Sequence, residues 1–362
     1  MSSDAAPQRD VRIREAVPDA LAQAARLLCK GELVAFATET VYGLGADAAN
    51  PQAVAKIFEA KGRPNDHPVI VHVLADTDLS VWAARVPETA QKLIQAFWPG
   101  PLTLILPRAQ GVDDAVTGGQ DTVGLRSPSH PVAQAVLRAF AAAGGSGAVA
   151  APSANRFGRI SPTTADHVAS EFGPALSLIL DGGMSDVGVE STILDLSRER
   201  PVLLRPGHVT VADLTRVLGD PVWLPDGRPA EAAFAGNLPA AASAAPDTPR
   251  VSGALSAHYA PRTPMRLVEA LVLPMQLHAL AALGQRIAVW SVQRPVGAGA
   301  WRQAPLDAGA YAHDLYAALR ELDASGMDLI LVEEPPFGDA WMAVRDRLGR
   351  AEVGSGEGVS ST

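Results

Sequence analysis

Lys61 and Arg63 stand one residue apart at the exit of a helical pattern, and Pro64 fixes the turn that follows. Cations so spaced can hold adjacent phosphates of a nucleotide. They also complement the negative end of a helix, and on local grounds the two readings weigh equally. Beyond the turn come His67 and His72. His72 lies within an apolar strand pattern, where a histidine lines a pocket or sits in the core with its hydrogen bonds met; taken alone, the core reading is the stronger. Arg126 ends a short apolar run in GLRSPSHP. An arginine at a strand end in an α/β sheet stands where ligands usually bind, and its planar fork suits a carboxylate, with a surface ion pair as the alternative.

Other stretches carry smaller polar groups. APSANRFGRISPT places Ser153, Asn155 and Ser161 among small residues that allow close approach to a base or phosphate, although helix caps and turns use the same types. VESTILDL and LLRPG set Ser191 and Arg205 at the polar edges of strands. TETVYGLG, Thr38 to Gly45, crowds hydroxyls and glycines into what reads as a turn, able to aim N–H groups at an anion but more often only a turn. SAHYAP, Ser256 to Pro261, puts a histidine and Tyr259 into a connecting segment, which has little need of them unless it docks. The sequence has no GxxxxGK[ST] loop, no GxGxxG after its first strand, no HExxH and no GxSxG, which disfavours the common nucleotide folds.

The elements that must position these groups alternate. Ala16 to Cys29 has helical spacing with Gly31 as its stop, and Leu33 to Ala37 reads as a buried strand. Asn50 and Pro51 start a helix that continues through Ala60. Strands are predicted at 69–74, 102–106, 122–125, 148–151, 176–180, 192–196 and 202–204, with helices at 131–142, 164–172 and 211–218. From about Asp220 to Pro249 the chain turns rich in Ala, Pro, Gly and Asn without periodicity, as a linker does. Strands at 265–268, 286–290 and 329–332 then alternate with helices at 271–283, 312–322 and 340–348, a second small α/β unit.

The chain of 362 residues, 48% apolar, suffices for two cores. Its net charge of −9 argues against a surface that grips nucleic acid at long range. The lone cysteine, Cys29, has no partner for a disulfide or zinc site and is expected as a small buried residue without a catalytic role. No signal peptide or unbroken apolar span is legible, so a cytoplasmic location without a membrane is expected.

In this order, TETVYGLG, IFEAKGRPNDHPVIVHV, WPGPLTLIL, TVGLRSPSHP, APSANRFGRISPT, VESTILDL and LLRPG resemble the YrdC-like family of L-threonylcarbamoyladenylate synthases. The later HYAP and small α/β unit resemble the two-domain form. The expected division is a disordered N-terminus at 1–11, a catalytic domain at 12–220, a linker at 221–262, a small nucleotide-fold-like domain at 263–350 and, from the polar, glycine-rich composition of its closing stretch, a disordered tail at 351–362. The implied fold is α/β, a twisted mixed sheet with a concave active site.

The implied reaction joins L-threonine, bicarbonate and ATP into threonylcarbamoyl-AMP and pyrophosphate, with Mg²⁺ and without a metal site built from protein. A downstream tRNA threonylcarbamoyl transferase complex would consume the product, with no tight direct tRNA binding. By resemblance, Lys61, Arg63, His67, Thr122, Ser153, Asn155, Ser161, Arg205 and Tyr259 contact ATP, Lys61 and Arg63 stabilising charge and Tyr259 closing over the nucleotide. Thr40, His72, Arg126, Ala151 and Ser191 form the threonine pocket. No residue is expected as a nucleophile. Two other readings compete: a carbamoyl-transfer enzyme of the hydrogenase-maturation kind, which a single cysteine disfavours, and a double-stranded RNA-binding module, which the net charge disfavours.

Overall fold

The computed structural model describes residues 10–234 and 248–356. Nearly all of the expected disordered N-terminus, linker residues 235–247 and tail residues 357–362 therefore lie outside the described residues. In the first part of the chain the elements are β1 (Ile13–Glu15), α1 (Pro18–Cys29), β2 (Val34–Phe36), β3 (Gly43–Asp47), α2 (Pro51–Lys61), β4 (Ile70–His72), α3 (Glu88–Phe97), β5 (Leu102–Pro107), α4 (Asp114–Thr117) and β6 (Thr122–Arg126). There follow α5 (Pro131–Ala142), β7 (Val149–Ala150), α6 (Ala165–Phe172), β8 (Ile179–Asp181), β9 (Thr192–Asp195), β10 (Val202–Arg205) and α7 (Val211–Leu218). The second part holds β11 (Met265–Val268), α8 (Leu273–Ala282), β12 (Ile287–Ser291), β13 (Ala300–Gln303), α9 (Ala308–Asp323), β14 (Leu329–Glu333) and α10 (Met342–Ser355).

Among the described residues ten strands make one mixed sheet in the order β1-β8-β2-β3-β7-β4-β6-β5-β9-β10. The second sheet, β11-β14-β12-β13, is parallel throughout; α8 and α9 make the crossovers from β11 to β12 and from β13 to β14, whereas β12 reaches β13 through the loop at 292–299 without a helix. Interior strands carry much of the large sheet's burial; β2, β4, β6 and β9 are buried along their whole length.

Local chemistry sets the turn at which the cations stand. The Asn50 side chain accepts hydrogen bonds from the N–H groups of Gln52 and Ala53, and Pro51 occupies the first turn, so α2 begins there. Gly62, with φ 62°, ends it in the left-handed conformation and leaves Lys61 as its last residue.

Three findings differ from the sequence reading. Val222, Leu224, Ala230 and Ala233 are buried in the large core, with Trp223 bridged to Val202 and Pro229, so ordered packing continues past residue 220. At the other end α10 runs on to Ser355, whose Oγ accepts from the Met265 N–H at 3.0 Å; docking on β11 orders residues 351–355, which composition alone placed in the tail. Cys29 is exposed rather than buried, because the last turn of α1 points it toward solvent beside the Ala143 carbonyl.

The two sheets share one apolar cluster. Val41, Ile160, Val189 and Tyr259 pack with Tyr316, Val344, Leu348 and other residues of the second part, while Met342 enters the core of the first. The loops that carry polar clusters of the first part are thus clamped by the second.

Candidate active site

Sheet order brings the scattered motifs together. β4 and β6 are parallel neighbours in which His72 is the register partner of Arg126. Ala151, just beyond β7, bonds its N–H to the Ile70 carbonyl, Ser153 bridges to Gly43, and Ser191 enters β9. As a result Thr40, His72, Arg126, Ala151 and Ser191 line a single cavity together with Ser153, Arg205 and Tyr259. All five residues expected around threonine are in that lining, and three of those expected around ATP.

The remaining six stand behind or beside it. Lys61 is buried and donates from Nζ to the carbonyls of Ser153 and Asn155, the two residues that frame the small-residue loop. Arg63 donates to the Pro68 carbonyl at 2.7 Å and reaches Ser252 Oγ at 3.4 Å. Asn155 is fully buried, with Nδ2 donating to the carbonyls of Arg156 and Arg159, whereas its Oδ1 has no partner among the described residues. Ser161 Oγ donates to Glu190 Oε1 at 2.6 Å. The His67 ring lies edge-on to Phe157 at 5.6 Å, and Thr122 begins β6 at the end away from Arg126, outside the lining.

Two carboxylates absent from the sequence reading compensate the cations. Glu39 Oε1 lies 2.6 Å from Arg126 Nη2, both side chains being almost wholly buried. Burial opposes ionisation of Glu39, yet the Arg126 guanidinium overcomes it and holds the carboxyl below its usual range. Glu190 lines the cavity and accepts from Arg347 Nε and Tyr316 Oη, each at 2.8 Å. Burial again opposes its charge, but Arg347 and Arg205 bring its pKa down to about 2. Both glutamates occur inside motifs read for their neighbours, and a buried acid within a hydroxyl-rich cluster was the available signal. Arg347 belongs to no motif.

Burial shifts the other groups. Lys61 is pushed well below the ordinary lysine value by desolvation and by Arg63, with no carboxylate bonded to it among the described residues. Arg63 is lowered to about 10 by burial, and His72 to about 3 by burial and by Arg126, so its imidazole is neutral at neutral pH. A neutral His72, with Nδ1 3.3 Å from the Ile70 carbonyl, presents hydrogen-bonding groups rather than charge. Lys61, Arg63 and Arg205 form no ion pair among the described residues, and Arg126 shares the cavity lining with Thr40 and Ser191.

Residues 250–260 lie across this site. Arg250 and Gln120 exchange backbone and side-chain hydrogen bonds, and Val251 seats on Ile70, Ile105, Ile193 and Leu204. Arg205 Nη1 donates to the Ser252 carbonyl at 2.7 Å, and Ala260 N–H bonds to the Gly158 carbonyl. Tyr259 is buried with φ 62°, its ring 4.1 Å from that of His258 and its hydroxyl at Gly253. With this segment in place the cavity measures only about 30 Å³.

A family model described as "Telomere recombination" matches residues 26–207, and one described as "Threonylcarbamoyl-AMP synthase, C-terminal domain" matches 209–352. The chain is 36% identical to the threonylcarbamoyl-AMP synthase of Pyrococcus abyssi, covering 94% of this chain and 96% of that one. It is 38% identical to the Bacillus subtilis protein of the same name, covering 92% and 93%. The crystal structure of P. abyssi Sua5 complexed with L-threonine superposes with a TM-score of 0.82 at 37% identity, covering 92% of this chain and 94% of that one. Identity at this level along both parts, with a shared architecture, places the chain in the two-domain threonylcarbamoyl-AMP synthase family.

Proposed function

We infer that the cavity under residues 250–260 is where L-threonine, bicarbonate and ATP become threonylcarbamoyl-AMP and pyrophosphate. The observation that carries this reading is the convergence of Thr40, His72, Arg126, Ala151 and Ser191 with Ser153, Arg205 and Tyr259 on one lining. Arg126 pairs with the threonine carboxylate, and Thr40, neutral His72 and Ser191 supply the hydroxyl and amine contacts. Lys61, Arg63, Ser153, Asn155, Ser161 and Arg205 hold the nucleotide, with His67 and Thr122 along its outer side. The orphan Oδ1 of Asn155 offers an acceptor to a ribose hydroxyl or adenine amine.

The chemistry then needs no protein nucleophile. The threonine amine takes up carbon dioxide with release of a proton, or bicarbonate with release of water, to become a carbamate. A carbamate oxygen attacks the α-phosphorus, and its bond to the pyrophosphate oxygen breaks as that group leaves. The residues' work is to align three anionic partners and offset charge as it moves, which fixed cations and N–H groups do most effectively away from water. Carbamate and mixed anhydride both decompose in water, so Tyr259 and its segment serve as the cover. Since about 30 Å³ holds roughly one water molecule, the segment must shift to admit substrates.

Mg²⁺ fits as a companion of ATP rather than as a resident of the protein. Glu39 and Glu190 are both engaged by guanidinium groups, and no cluster of three candidate ligands occurs among the described residues. Phosphate oxygens and water would hold the ion, which supplies further charge compensation on the phosphates. No helix among the described residues is long and apolar enough to cross a membrane. A cytoplasmic site of action and delivery of the product to a tRNA-modifying transferase complete the proposal, as does the division into a catalytic domain, a covering linker and a smaller domain.

The test is pyrophosphate release from ATP with Mg²⁺, omitting threonine and bicarbonate in turn, with mass spectrometry of the adduct. Release and threonylcarbamoyl-AMP that require both co-substrates are expected. A folded, ATP-binding preparation giving neither would overturn the reading.

A further inference from the structure

Glu190 is the meeting point of the site and the second domain. Its Oε1 accepts from Ser161, and its Oε2 from Tyr316 of α9 and Arg347 of α10. Arg347 is fully buried in the heart of the protein and has no solvent route for its charge. Its guanidinium is shared between Glu190 and Asp346, bonded at 2.6 Å, and stands 5.3 Å from the centre of the Tyr259 ring. Asp346 in turn accepts from Arg350 Nε at 2.9 Å, and Arg350 Nη1 donates to the carbonyls of Ala254 and Leu255. A continuous network, buried at Glu190, Arg347 and Asp346 and reaching the surface at Leu255, therefore runs from the residue beside Ser191, through α10, to the segment covering the cavity.

We propose that Arg347 is a positioning residue for the synthase reaction: through Glu190 it sets Ser161 and Ser191 in the site, and through Tyr259 and Asp346–Arg350 it holds the covering segment shut. The proposal rests on the reading of Ser161 and Ser191 as ligand contacts. Its physical basis is that a buried guanidinium must keep its carboxylates, so displacement of Glu190 or of α10 leaves charge unpaired in a dry interior, while movement of the segment forfeits the Tyr259 ring over Arg347 and the Ala254 and Leu255 carbonyls that accept from Arg350. The closed arrangement is thereby a single packed state rather than one of many. An arginine is suited to this because its rigid fork bonds Glu190 and Asp346 at once and still lies over the tyrosine ring, which the point charge of a lysine does less well.

The test uses the full chain with Arg347→Met, Arg347→Lys and Tyr316→Phe, and Asp339→Ala as a comparison. Asp339 also joins the domains, accepting from the N–H groups of Val211 and Ala212, but touches nothing in the network described. Threonine KM, kcat, the yield of adduct per pyrophosphate released, and thermal stability are measured for each. Arg347→Met is expected to raise the threonine KM at least tenfold and to release pyrophosphate with less adduct, as water enters. Arg347→Lys should recover part of both, and Tyr316→Phe, which removes one donor to Glu190 and keeps the ring, should raise the threonine KM several-fold. Asp339→Ala should lose stability while keeping KM and yield.

Unchanged KM and yield in Arg347→Met would overturn the proposal. So would an equal loss in Asp339→Ala at equal stability, since general docking would then explain everything. If Arg347→Met does not fold, Tyr316→Phe decides, and wild-type KM and yield in that variant overturn the idea. Ser191→Ala and Ser161→Ala run alongside: normal KM values there remove the site reading itself, whereas impaired serine variants with an unimpaired Arg347→Met remove only the positioning role.

Discussion

Arg126 faces the cavity with Glu39 already 2.6 Å from its guanidinium, and each would be a stranded buried charge without the other. Removing one partner of such a pair typically costs about 3–5 kcal/mol. Glu39→Ala is therefore expected to lower stability by about that amount, seen in denaturant unfolding, whereas Glu39→Gln keeps an acceptor and should cost less. Arg126→Ala also removes the contact proposed for the threonine carboxylate; at about 1.5–3 kcal/mol for a charge-assisted hydrogen bond, threonine KM should rise roughly ten- to a hundredfold. An unchanged threonine KM in Arg126→Ala would remove it from the pocket. Lys61 makes a pH prediction. Because burial depresses its pKa, free enzyme loses the ammonium at lower pH than an ordinary lysine does, so ATP affinity should fall as pH rises through that value. Titration calorimetry over a broad pH range, acid to alkaline, checks this, and a flat ATP affinity would show that Lys61 carries no charge to the phosphates.

At the scale of elements, the covering segment turns on two residues with positive φ, Gly253 and Tyr259. A Cβ on Gly253 would come within 2.1 Å of the Tyr259 hydroxyl, so Gly253→Ala should hold the segment away from the site. Expected are adduct yield reduced several-fold, pyrophosphate release continuing, and proteolysis of the segment accelerated; a fully coupled, protease-resistant variant would contradict the cover. The same elements show what the sequence could reveal. Buried apolar runs such as Leu102–Pro107 and the Asn50–Pro51 start of α2 announce themselves by composition and capping. β3 does not, because GLGAD has few residues typical of strands and was read as part of a turn. Its Gly45 serves packing: a Cβ there would lie 2.6 Å from the Phe36 ring and 2.9 Å from Val149, on the neighbouring strands. β1 and β13 escaped notice as short strands with little buried surface, each at the edge of its sheet. The motifs named cavity-lining groups such as Arg126 and Ser191, but not Glu39 or Glu190, whose surroundings depend on partners 87 and 157 residues away in the chain. Such partners become neighbours only through strand order and domain docking, which local pattern does not encode.

For the molecule as a whole, the same burial that shapes the site makes the fold sensitive to acid. His72 in the pocket, His258 in the covering segment and His167 near the domain boundary are all held below the ordinary 6.5, at about 3, 3 and 4, with burial the leading cause of each. Below pH 6.5 the unfolded chain takes up protons that these histidines refuse while folded, so stability is complete above that value and falls as pH drops toward 3 to 4. Glu190 acts in the same sense at lower pH: its folded value of about 2 lies beneath the ordinary 4.5, and the stability it lends is lost as acid protonates it. Each histidine contributes about 1.4 kcal/mol per pH unit within its window. From pH 7 to 5.5 the three together should lower stability by roughly 4 kcal/mol, and the melting temperature by several degrees. Thermal melts across that range test the sum, and His258→Gln should remove about a third of the slope. Since His258 packs between Phe157 and Tyr259, the part it loses is the closed segment itself, so adduct yield should fall with acid before the first domain unfolds. A melting temperature flat between pH 7 and 5.5 would mean that the buried imidazoles find proton acceptors in the folded protein, and the segment would then close independently of pH.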